Sequence, residues 1–200
     1  MKFLSHQSLG RLGVWVLALT TGVANAHTGH DTAGAMAGLF HPLGLDHLLV
    51  MLAVGIWSVS ALPAGKSWWG PAVFMVTLLL SAVLGALGLV VPFLETMVSL
   101  SVVWLGAMLI LSRQGTPVPL GLMLVALVAS LHGLAHGAET PTSGFFTYAL
   151  GFLLSTAALH VGGIVVARGI GRYLSGAATW LISALGAVFG GAGFYLLSQL

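Results

Sequence analysis

Residues 118–137 read VPLGLMLVALVASLHGLAHG, a stretch without a single Lys, Arg, Asp or Glu. As a helix rising about 1.5 Å per residue, it is about 30 Å long, the thickness of a bilayer's hydrocarbon core. In lipid each backbone N–H and C=O must find its partner within the segment, which a helix provides. The stretch therefore predicts a membrane-crossing helix. The rest of the chain agrees: 58% of residues are hydrophobic, 5% are charged and the mean hydropathy is +1.06. Soluble domains carry roughly a quarter of their residues as charges.

Outward from this run, apolar segments recur at 36–62, 70–91, 94–111, 144–167 and 177–197, giving six of spanning length, with Pro63, Pro92, Pro117 and Pro141 between them. Before them, Lys2 and Arg11 form a basic region ahead of the short apolar core 14–24, and Ala24-Asn25-Ala26 offers a small-residue cleavage site. That is the layout of a secretory signal peptide. The expected fold is an all-α membrane protein, a six-transmembrane-helix bundle after a cleaved signal peptide. Its divisions are 1–26 as signal, 27–35 as a His-rich periplasmic tail and 36–200 as the transmembrane domain.

Charge sets the expected orientation. With residue 27 outside, the loops facing the cytoplasm hold Lys66, Arg113, Arg168 and Arg172, while Asp31, Glu95 and Glu139 fall outside. This obeys the positive-inside rule and places both ends of the mature chain in the periplasm. A formal charge of +2 resting on six basic residues points to no nucleic-acid partner. The lipid bilayer is the expected partner, and nothing in the pattern fixes an oligomeric state.

Ionisable side chains within spans are costly and mark ion pathways or proton relays. Here they are His41, Asp46 and His47 in the first segment, His132 and His136 in the fourth, and His160 in the fifth. The chain has no cysteine, so a metal site must be built from imidazole, carboxylate and backbone oxygen. His132 and His136 are four residues apart, on one helix face, a spacing that can hold a metal between two nitrogens. Asp46 next to His47 is either a ligand or the acceptor that fixes an imidazole tautomer. His160 lies deeper and reads either as an inner step of a pathway or as a neutral histidine bonded to Ser155 or Thr156. Glu139 follows His136 by three residues, and Glu95 reads either as part of an acidic outer mouth or as a helix-capping residue. His27 and His30 in the tail are candidates for metal capture.

The stretches His41-Pro-Leu-Gly-Leu-Asp46-His47 and Leu131-His132-Gly-Leu-Ala-His136-Gly-Ala-Glu139 resemble the two signatures of the HupE/UreJ nickel and cobalt permeases. The resemblance covers nearly the whole mature chain, including Pro92 to Glu95 and Leu159-His160-Val-Gly. It implies uptake of Ni²⁺, or Co²⁺, as transported substrate rather than cofactor, across the inner membrane, typically for hydrogenase or urease. The implied metal residues are His47, Asp46, His132, His136 and His41, with Glu139 and His160 beside them.

Two positions depart from the family pattern: Leu131 replaces an aromatic, and four residues rather than five separate His41 from Asp46-His47. On a regular helix the six-residue offset turns His41 about 120° away from His47. Pro42 also disfavours helical geometry at position 41. His41 is thus expected in the approach to the span, raising affinity rather than closing the coordination sphere, unless Pro42 and Gly44 loosen the turn. The rival from another class is an intramembrane metal-dependent enzyme using His132 and His136, although the HExxH glutamate is absent. A third is a sensor that binds metal without moving it.

Overall fold

The computed structural model describes residues 34–112, 114–139 and 145–200. The signal segment, His27, His30, Asp31 and Arg113 lie outside the described residues. Those described fold into helices α1 (Ala35–Phe40), α2 (Leu45–Ala61), α3 (Trp69–Ala86), α4 (Leu94–Ile110), α5 (Val118–Glu139), α6 (Phe145–Tyr173) and α7 (Ala178–Leu197). Short 3-10 turns at His41–Leu43 and Ser175–Ala177 lead into α2 and α7.

The apolar segments do not all become straight spans. Four helical stretches are long and apolar enough to cross a membrane: α3, α5, α6 and α7 with its leading turn. The first segment qualifies only as a pair, Ala35–Leu43 and Leu45–Ala61, bent by 76°. Helix α4, at 17 residues, is shorter than a full span. In the fifth segment the helix runs past 167 to Tyr173, so Arg168 and Arg172 sit in its last turns, where the helix dipole favours cations. Leu79, Leu80, Val83, Leu154 and Val165 face outward. Such an apolar surface suits lipid and not water. The chain is a multi-pass membrane protein.

Helix α2 is the axis of the bundle. Its Val50, Met51 and Val54 are fully buried and Trp57 nearly so, against Phe74 and Leu78 of α3, Val102, Leu105 and Leu109 of α4, and Val125 and Val128 of α5. Small residues allow the helices to come this close. Gly133 and Gly137 of α5 lie against the carbonyls of Leu78 and Ala82 on α3, and Gly55 of α2 approaches Gly163 of α6. Gly106 of α4 meets Gly186 and Gly190 of α7 in the same way. Gly85 of α3 likewise lies against the carbonyl of Leu134 on α5. Gly88 differs: at φ 89 it ends α3, with its N–H donated to Gly85 and that of Leu89 to Leu84. This is a Schellman ending, which needs a left-handed residue.

The contacts also fix direction. Residues 133 and 137 of α5 meet 78 and 82 of α3 in the same order, so this pair is parallel, whereas 102 and 106 of α4 meet 193 and 186 of α7 in reverse order. The Arg168 guanidinium donates to Ser67 Oγ at 2.9 Å, placing the end of α6 beside the α2–α3 loop that carries Lys66. The start of α2, with Asp46 and His47, lies at the other end of that helix.

Candidate metal site

The site is assembled where the first segment breaks. His41 is itself helical, at φ −55 and ψ −45, so Pro42 does not push it out of helical geometry as expected. A proline disfavours that conformation before it without forbidding it. The break comes at Gly44, where ψ swings to 141 before α2 begins. Gly44 still donates to the His41 carbonyl at 3.2 Å, closing the 3-10 turn. Because the path is bent and not a continuous helix, the 120° separation of His41 and His47 does not arise. Their rings lie 5.8 Å apart, edge to face.

His136 reaches the same place from α5. The sequence HGLAHG explains how: Gly133 and Gly137 take the face packed against α3, and the histidines that precede them are offset by about 100° toward α2. The His136 ring is 4.3 Å from His47 and 4.7 Å from His41. One ligand atom from each of His41, His47 and His136 lies within 4.8 Å of the others. Three imidazole nitrogens that close can converge on one divalent cation, at about 2.0–2.1 Å each, after small side-chain rotations.

Asp46 stands beside the cluster rather than in it. Its Oδ2 is 2.8 Å from Nδ1 of His47, a close approach without the alignment of a full hydrogen bond. A carboxylate there favours the hydrogen on Nδ1 and would leave the Nε2 lone pair as the one able to bind a metal. Aromatic rings wall the other side, with Phe152 4.4 Å from His136 and Tyr148 5.9 Å from His41. An apolar crevice between α3, α5 and α6, lined by Leu79, Val83, Ala149 and Leu153, reaches His136.

The spacing of His132 and His136 suggested a shared ion, but His132 does not join the close group. It is fully buried, its ring 4.8 Å from His47 and its Nε2 3.0 Å from Ser101 Oγ. His160 is separate again: its Nδ1–H donates to the Thr156 carbonyl at 2.8 Å and its ring packs 4.9 Å from Phe74. The partner is thus the backbone carbonyl and not the expected hydroxyl. Glu95, in the first turn of α4, and Glu139, the last residue of α5, are both exposed and outside the close group. Ser101, Phe74, Tyr148 and Phe152 were not singled out in the sequence. A serine or an aromatic in an apolar helix has no spacing that announces its neighbours.

The family described as HupE / UreJ protein matches residues 15–196. The chain belongs to the HupE/UreJ family. Protein HupE of Rhizobium leguminosarum bv. viciae is similar to it, 41% identical over 147 residues, which is 72% of this chain and 76% of that protein. No solved structure matches. For this HupE/UreJ member, the residues of both sequence signatures meet at the junction of α2 and α5, with His41, His47 and His136 together and His132 one turn deeper.

Proposed function

We propose that this protein is a secondary permease that takes up Ni²⁺, with Co²⁺ as the alternative cargo, across the inner membrane to supply nickel enzymes such as hydrogenase or urease. The observation that carries this reading is the close set of His41, His47 and His136 in a bundle with no other cluster of three metal-ligating side chains among the described residues. Imidazole is a good ligand for nickel, and selectivity over copper and zinc then rests on geometry and metal supply. Family membership supports a transporter rather than an enzyme. The metalloenzyme alternative also lacks the glutamate that HExxH provides as general base, since Gly133 follows His132.

In this reading both ends of the mature chain, residues 27 and 200, lie on the periplasmic side, with the histidine cluster toward that side and the Lys66 and Arg168 end in the cytoplasm. No nucleotide-binding loop occurs in the sequence. The membrane potential alone favours inward movement of a divalent cation by about 4.6 kcal/mol per 100 mV, twice the single-charge value. The test is uptake of radioactive nickel into proteoliposomes under an imposed potential, with and without a proton gradient. Uptake no faster than in protein-free liposomes rejects the permease. Chemical conversion of a substrate that depends on bound metal would favour the enzyme.

A further inference from the structure

Ser101 Oγ lies 2.6 Å from the carbonyl oxygen of Val98 and 3.0 Å from Nε2 of His132. A hydroxyl has one hydrogen to give. Two oxygens come as near as 2.6 Å only with a hydrogen between them, and a carbonyl has none, so the Ser101 hydrogen is committed to Val98. Toward His132, Ser101 is left as an acceptor. Nε2 must then carry the imidazole hydrogen, and a neutral imidazole has only one. The lone pair of His132 therefore sits on Nδ1, which has no hydrogen-bond partner among the described residues although the side chain is fully buried.

A bare imidazole nitrogen is what a metal needs, and this one belongs to a ring next to the three-histidine cluster but outside it. Four residues of helix set His132 about 6 Å deeper along α5 than His136. His47 touches both levels, its ring 4.3 Å from His136 and 4.8 Å from His132. We propose that Ser101 is a positioning residue of the transport path, holding His132 in the tautomer whose bare Nδ1 receives an ion leaving His41 and His136, with His47 shared by both positions. This rests on the permease reading above. The ion exchanges nitrogen ligands one at a time and is never stripped bare in the apolar interior, where an unpaired charge is most costly.

The test uses the full chain labelled with ¹⁵N-histidine in lipid bilayers. Nitrogen NMR reports which ring nitrogen carries the hydrogen, with His132 assigned by its disappearance in His132→Asn. The wild type is expected to show His132 with hydrogen on Nε2. In Ser101→Ala that preference should be lost, and maximal nickel uptake should fall by about 10–100-fold, the usual effect of removing a group that orients a ligand. The half-saturating concentration, set by the outer three histidines, should stay near the wild-type value. Ser101→Thr keeps the hydroxyl and should keep both tautomer and rate. A wild-type His132 with its hydrogen on Nδ1 overturns the proposal whatever the variants do, including the case in which Ser101→Ala fails to accumulate. So does Ser101→Ala uptake at the wild-type rate. Wild-type liposomes that take up no nickel overturn the permease reading, whereas uptake with the wrong tautomer overturns only the role of Ser101.

Discussion

His41 is the residue on which sequence and structure part most clearly. Spacing on a regular helix makes it an outlying ligand, but with the chain bent at Gly44 it stands among the ligand atoms of His47 and His136. We therefore expect His41→Ala to lose uptake as fully as His47→Ala or His136→Ala, with all three variants still inserted in the membrane. Initial rates over a range of nickel concentrations decide this, because a His41→Ala protein that keeps its maximal rate would return that ring to a role at the approach. Asp46→Asn should retain binding but weaken it by about 10–100-fold, since the amide no longer fixes the His47 tautomer by charge. A proton and a metal compete for the same imidazole lone pair. Uptake at fixed free nickel and fixed potential should accordingly fall as the external pH is lowered from 8 toward 5, the range in which histidine ordinarily gains its proton. A flat profile over that range would count against imidazole in the rate-determining site.

At the scale of the element, the helix break matters more than the histidine spacing. Gly44 lets the chain leave one short helix and start another. Alanine there favours continuing the helix by about 1 kcal/mol. Gly44→Ala should therefore raise the half-saturating nickel concentration while leaving the fold intact, as judged by unchanged thermal unfolding. The opposite pattern is expected of Gly137→Ala. A Cβ at Gly137 would press into the Ala82 carbonyl on α3, backbone that cannot step aside. Overpacking of this kind costs about 1–3 kcal/mol. The variant should lower the unfolding temperature of the detergent-solubilised protein as well as uptake, because the same contact aims His136 into the cluster. An unchanged melting temperature would mean α3 and α5 tolerate a wider separation than the structure shows.

For the whole molecule, the paired helices give the site its place. Parallel packing of α3 with α5 and of α2 with α6 sets the histidine cluster at the end of α2 remote from Lys66 and Arg168. We expect a periplasmic reporter fused after Leu200 to be active and a cytoplasmic one to be silent. An active cytoplasmic reporter would invert the topology and put the cluster at the exit rather than the mouth.

Hydropathy and the lack of charge make the chain helical and membrane-embedded from sequence alone, because lipid leaves unsatisfied backbone groups no alternative. The two histidine signatures likewise identify the residues worth attention. Their partnership was not legible. Periodicity describes a regular helix, and the first segment stops being one at Gly44, through a backbone angle that no residue spacing encodes. The pairing of His132 with His136 follows from one helix taken alone, whereas Ser101 on α4 and His47 on α2 divide them between two levels. Which histidines stand together is a matter of how helices from distant parts of the chain pack, and only the tertiary structure decides that.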